Sequence, residues 1–171
     1  SSGDNKTKEL ASIDVTKNTA LTSIDISSDM LTSIDVSKNI NLTHLGIAGD
    51  NLTSIDVSKN RALTSLSIGG EKLTSIDISN NTESESLYIM GCGITSLDIK
   101  ANTKLMALTC QGTPISSIDL SNNTNLKSLT FSGNKSVTTL DLSNNTELEF
   151  LQCQNNALSS LDISNCTKLK D

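Results

Sequence analysis

The sequence predicts a mainly β solenoid of seven and a half coils, each 21–22 residues long, with short parallel strands on both faces and little or no helix. Three observations predict it. One string recurs eight times, each recurrence carries two short apolar alternations instead of a helical stripe, and aromatic residues are only 2% of the chain. A core built around large rings is therefore excluded, and the interior must be aliphatic and narrow.

The repeat units begin at Leu10, Leu31, Leu52, Leu73, Ile94, Ile115, Val137 and Leu158, 21 residues apart with one step of 22. Each unit opens with a constant half, L-x-x-I/L-D-V/I/L-x-x-N, as in "LTSIDVSKN" from Leu52. A variable half follows, L-x-x-L-x-I-x-x-x, starting at Leu21, Leu42, Leu63, Ser84, Leu105, Leu126, Leu148 and Leu169. Within either half, apolar residues at positions 1, 4 and 6 cannot share one helical stripe. Positions 4 and 6 alternate as a short strand does, for example Ile55 and Val57, or Leu66 and Ile68. Clusters such as "SKN", "SNN" and "GGE" then bend the chain, so one unit closes one coil. A single coil buries too little to order its own backbone, and stacking covers its two faces. Ser84 interrupts the inward column between Leu63 and Leu105, where a hydroxyl in place of an isobutyl group leaves a void.

The string L-x-x-L-x-L-x-x-N resembles the leucine-rich repeat. With its 21-residue period and a Cys inward in "LEFLQCQNNALSSLDIS", the chain resembles the internalin-like, cysteine-ladder repeats of bacterial cell-surface proteins. On that resemblance the chain divides into a polar N-terminal segment, 1–9, and a leucine-rich-repeat domain, 10–171. Only Cys110 and Cys153 hold the ladder position, which Ile26, Ile47, Ile68, Ile89 and Phe131 fill in other coils. The column Asn18, Asn39, Asn60, Asn81, Asn102, Asn123 and Asn145 reads as the structural ladder that satisfies backbone groups at a turn.

Asp14, Asp35, Asp56, Asp77, Asp98, Asp119, Asp141 and Asp162 form an outward column. Carboxylates about 5 Å apart repel by roughly 0.8 kcal/mol in water. Neighbouring hydroxyls, backbone donors or cations must offset this. No calcium-loop motif is present, so a charged flank is expected and no metal or other cofactor is assigned. Cys110 and Cys153 lie two coils apart, about 10 Å, too far for a disulfide, and all four cysteines read as buried thiols.

The net charge is −6 and the basic residues are scattered, which argues against nucleic acid and acidic membranes as partners. No apolar run is long enough to span a bilayer. His44, the sole imidazole, has Ser23, Ser65 and Gly46 as outward neighbours, so no catalytic residue is assigned and the chain reads as no enzyme. The uniform constant half suits a solubilising back. The variable half carries Tyr88, Met90, Met106, Gln111, Phe150 and Gln152, residue types that interfaces favour, and with His44 these are the candidate ligand-binding residues. The expected function is recognition of a protein or glycan partner by a secreted or surface-attached bacterial protein, extracellular although no export signal stands in this chain. The alternative is a stalk without its own ligand. Exposed coil ends would further favour end-to-end self-association or a neighbouring domain that covers them.

Overall fold

The computed structural model describes residues 10–170; the polar segment 1–9 lies outside the described residues. The chain is a parallel-strand solenoid of 21-residue coils, with no helix among the described residues. Among the described residues seven strands follow one another: β1 Ser23–Ser27, β2 His44–Ala48, β3 Ser65–Gly69, β4 Ser86–Met90, β5 Ala107–Gln111, β6 Ser128–Ser132 and β7 Phe150–Gln152. They form one parallel sheet in chain order, with inward Leu45, Leu66 and Leu87 in one register row and Ile47, Ile68 and Ile89 in another.

All seven strands come from the variable half, which corrects the expectation of strands on both faces. The constant half does turn its apolar residues inward: Leu52, Ile55 and Val57 are buried beside Leu63, Leu66 and Ile68. Its backbone donors, however, are taken locally. In the coil from Leu52, Ser58 N–H bonds Asp56 Oδ1 at 2.9 Å, Asn60 N–H bonds the Val57 carbonyl at 3.0 Å, and Leu63 N–H bonds the Asn60 carbonyl at 3.2 Å. Coil-to-coil backbone bonds on that side thin to isolated ones, such as Thr53 N–H to the Thr32 carbonyl at 3.1 Å.

The asparagine ladder carries the load there. Asn60 Nδ2 donates to the Val36 and Asn39 carbonyls of the preceding coil at 3.0 and 2.8 Å, and the same pair of bonds recurs at Asn39, Asn81, Asn102, Asn123 and Asn145. Asn18 stands exposed at the start of the column and contributes its carbonyl to Asn39. Cys166 takes the ladder place in the last coil, its thiol 3.8 Å from the Leu142 carbonyl.

A second ladder, at the turn after the strands, escapes the sequence reading. Asn134 Nδ2 donates to the Cys110 carbonyl, its Oδ1 accepts from Thr113 N–H, and Asn156 Nδ2 bonds the Phe131 carbonyl. Cys92 holds the equivalent place one coil earlier, with its thiol against the Ile68 carbonyl. These positions carry Cys, Thr and Asn in turn, so no repeated letter marks them. The one 22-residue step falls here too: the turn between Asn134 and Val137 absorbs the extra residue and is closed by a 3.0 Å backbone bond.

Candidate functional site

The outward side chains of the sheet stand in three register rows. The first runs from Ser23 through His44, Ser65, Ser86, Ala107 and Ser128 to Phe150. The second runs from Asp25 through Gly46, Ser67, Tyr88, Thr109 and Thr130 to Gln152. The third runs from Ser27 through Ala48, Gly69, Met90 and Gln111 to Ser132. Parallel strands sit about 4.8 Å apart, so each step along a row is about that distance.

The candidate residues fall into separate groups on this grid. Tyr88 and Met90 share β4, and Gln111 sits beside Met90 on β5. Phe150 and Gln152 lie on β7, three strands and about 14 Å from β4. His44 is two strands to the other side. Met106 is not on the sheet: it precedes β5, exposed, where its N–H and that of Ala107 both reach the Glu85 carbonyl. Met90 is 47% exposed, while Tyr88 and Phe150 are half-buried.

The reading of His44 as lacking an acidic neighbour is corrected. Its Nε2 lies 3.0 Å from Asp25 Oδ1 on β1. A Cβ at Gly46, which faces Asp25 in the register, would come within 2.1 Å of that same oxygen and displace the carboxylate from its present position. The signal was legible: the first variable half, "LTSIDISSD", repeats the constant-half string, and counting its fifth position as outward puts Asp25 diagonally across from His44. Among the described residues, no hydroxyl bonds the imidazole.

On the constant flank, the aspartates accept from the residue two places on. The acceptor Oδ1 lies 2.9 Å from the backbone N–H at Asp14, Asp35, Asp56, Asp77, Asp141 and Asp162, and 3.0 Å at Asp98 and Asp119. Of the offsets considered, backbone donors and hydroxyls are therefore in place. Hydroxyl bonds first and backbone bonds second hold Asp14, Asp35, Asp77 and Asp119 below the usual carboxylate range; at Asp56, Asp141 and Asp162 the backbone bond leads. All four cysteines are free thiols, and burial raises the pKa of each, that of Cys110 to about 11. None is poised as a nucleophile.

No protein-family model matches this sequence, and no curated protein does. Solved structures do match. The functional domain of InlJ from Listeria monocytogenes, which includes a cysteine ladder, is 29% identical with a TM-score of 0.76, over 93% of this chain and 45% of that one. A leucine-rich-repeat protein of Leptospira interrogans is 16% identical with a TM-score of 0.76, over 95% of this chain and 51% of the other. An internalin C2 from Listeria monocytogenes is 16% identical with a TM-score of 0.71, over 91% and 80%. The chain thus spans about half the length of the first two.

Proposed function

For a chain whose fold is that of the internalin-like leucine-rich-repeat solenoids, we propose a non-catalytic binding module of a secreted or surface-attached bacterial protein. It recognises a protein or glycan of a cell surface through the outward side of β1–β7. Repeats of this fold are generally protein-binding modules, and the likeness to Listeria internalins supports the bacterial and extracellular setting. The observation that carries the reading is the contiguous group Tyr88, Met90 and Gln111, with an aromatic and an apolar side chain turned away from the core on a rigid sheet. Tyr88→Ser combined with Phe150→Ser tests it. Capture of binding partners from bacterial or host surface extracts falls at least tenfold in the double variant if this face binds. Unchanged capture, or none by either protein, favours a spacer. That second reading is favoured by the many Ser, Thr, Ala and Gly residues in the same rows.

Self-association belongs with the spacer reading. Leu10 is 39% exposed at one end of the described solenoid and Ile163 46% at the other, and contact between two such ends would cover both. Sedimentation over a range of concentrations tests this, and a strictly monomeric protein removes it.

A further inference from the structure

The sheet face is not uniform along its length. Over β2 and β3 the second- and third-row positions are Gly46, Ala48, Ser67 and Gly69, so the surface there is a shallow recess floored almost by backbone. Met90 on β4 lines one side, with Tyr88 next to Ser67 in the register, and Asp25 stands at the other. A Cβ at Gly69 would stand 3.2 Å from the Met90 carbonyl oxygen, and one at Gly46 would push the Asp25 carboxylate aside.

A second pattern coincides with the first. In the turn just beyond the strands, Asp29, Asp50 and Glu71 succeed one another at intervals of 21 residues, one per coil, all exposed and bordering the recess. No ion pair engages them among the described residues. Lys72, beside Glu71, instead bonds Asn51 Oδ1 at 2.5 Å. From the next coil on, the same column becomes Cys92, Thr113, Asn134 and Asn156, which carry no charge at neutral pH. The acids of this column are thus confined to the coils of β1, β2 and β3, which border or floor the recess, and among the described residues the hydrogen bond that reaches their side chains is Asp50 N–H to Asp29 Oδ1 at 3.2 Å.

We infer that this recess docks a cationic segment of a partner protein, its Lys or Arg stems lying on the small-residue floor against Met90 and Tyr88 and its charged heads meeting Asp29, Asp50 and Glu71. The inference rests on the binding reading above and adds the chemistry of the partner. Long basic side chains match the site because they are apolar along the stem and charged at the tip. A guanidinium also pairs with carboxylates through two parallel hydrogen bonds and stacks on an aromatic ring. A polyanion would be repelled.

Peptides selected from a displayed library of random twelve-residue sequences on the intact protein provide the test. The selected set is enriched at least threefold in Lys and Arg over the unselected library, and its affinity falls at least tenfold in the Asp29→Asn, Asp50→Asn, Glu71→Gln variant. The same number of charges removed on the constant flank, by Asp56→Asn, Asp77→Asn and Asp98→Asn, leaves affinity within twofold. Ser67→Trp, which fills the floor, abolishes binding, while each variant keeps its circular dichroism spectrum. Binders that Ser67→Trp eliminates but rim neutralisation spares overturn the cationic partner and leave the face reading standing. Binders that neither change affects sink both. Equal losses from rim and flank neutralisation, or no selected peptide at all, also overturn the inference.

Discussion

The two halves of each coil hold their backbone by different means. In the sheet half, N–H groups of one strand bond carbonyls of the next, and Thr64 and Ser65 N–H both meet the Thr43 carbonyl in a pattern repeated from coil to coil. Backbone ladders of this kind ask nothing of the outward side chain. In the constant half the donors and acceptors are side chains of particular residues, Asp56 for Ser58 N–H and Asn60 for the Val36 and Asn39 carbonyls. Changing the residue there removes the bond. One half of the unit therefore repeats and the other drifts on stability grounds alone, and the proposed binding rests on which residues occupy the drifting positions, not on the drift itself.

The largest effect that sharpens this contrast is expected at the ladder. Asn102→Ala strands the Ile78 and Asn81 carbonyls, now bonded at 3.1 and 2.9 Å in a fully buried site. At roughly 1–3 kcal/mol per orphaned group, stability falls by about 3 kcal/mol and the melting temperature by about 6–12 °C. Thr109→Ala, outward on β5, stays within about 0.5 kcal/mol. Equal losses in thermal melts would break the comparison.

Ser84→Leu works in the opposite direction. Ser84 is 1% exposed between Leu63 and Leu105, and its hydroxyl reaches the Leu63 carbonyl only at 3.4 Å. Filling the site raises stability by about 2 kcal/mol. A lower melting temperature would mean that the space is too tight for an isobutyl group.

A smaller change separates backbone from side-chain requirements within the sheet half. Gly112 follows β5 at φ 64°, where a Cβ would meet only Gly91 N at 4.0 Å, and Asn155 holds the same place in the last coil at φ 59°. Gly112→Ala costs about 1 kcal/mol through the left-handed backbone, and Gly112→Asn costs less. Urea unfolding midpoints rank the three, and an Ala variant as stable as Asn would contradict the account.

Acid acts mainly on the constant half, where Asp14, Asp35, Asp56, Asp77, Asp119, Asp141 and Asp162 carry lowered pKa values, whereas in the variable half the pKa of Glu149 is lowered by its bond from Lys170. A carboxylate whose folded pKa lies below its unfolded value of 3.8 contributes stability above that value and loses it as pH falls through the folded one. Melting temperature is expected to stay level from about pH 7 to 5 and to fall below about pH 4. Asp56→Asn with Asp77→Asn makes that fall shallower. A double variant with an unchanged acid limb would remove the aspartates as its cause.

Much of this molecule was legible because its determinants repeat. Recurrence every 21 residues set the coil, the inward column and the ladder at Asn39 to Asn145, and the alternation in "LTSLSIGG" placed β3. The identical alternation in "LTSIDVS" also read as a strand, and there periodicity misled: it reports which side chains face inward, not where the backbone N–H groups go. Asp25 beside His44, the second ladder through Thr113, Asn134 and Asn156, and the coincidence of a low floor with an acidic rim involve different letters in neighbouring coils. The sequence by itself determined the solenoid, since a repeated apolar pattern has one in-register way to bury itself. Only the tertiary structure decided which half pairs as a sheet and which unlike residues meet across coils, because hydrogen-bond partners 19 to 25 residues apart exist only once the coils are stacked.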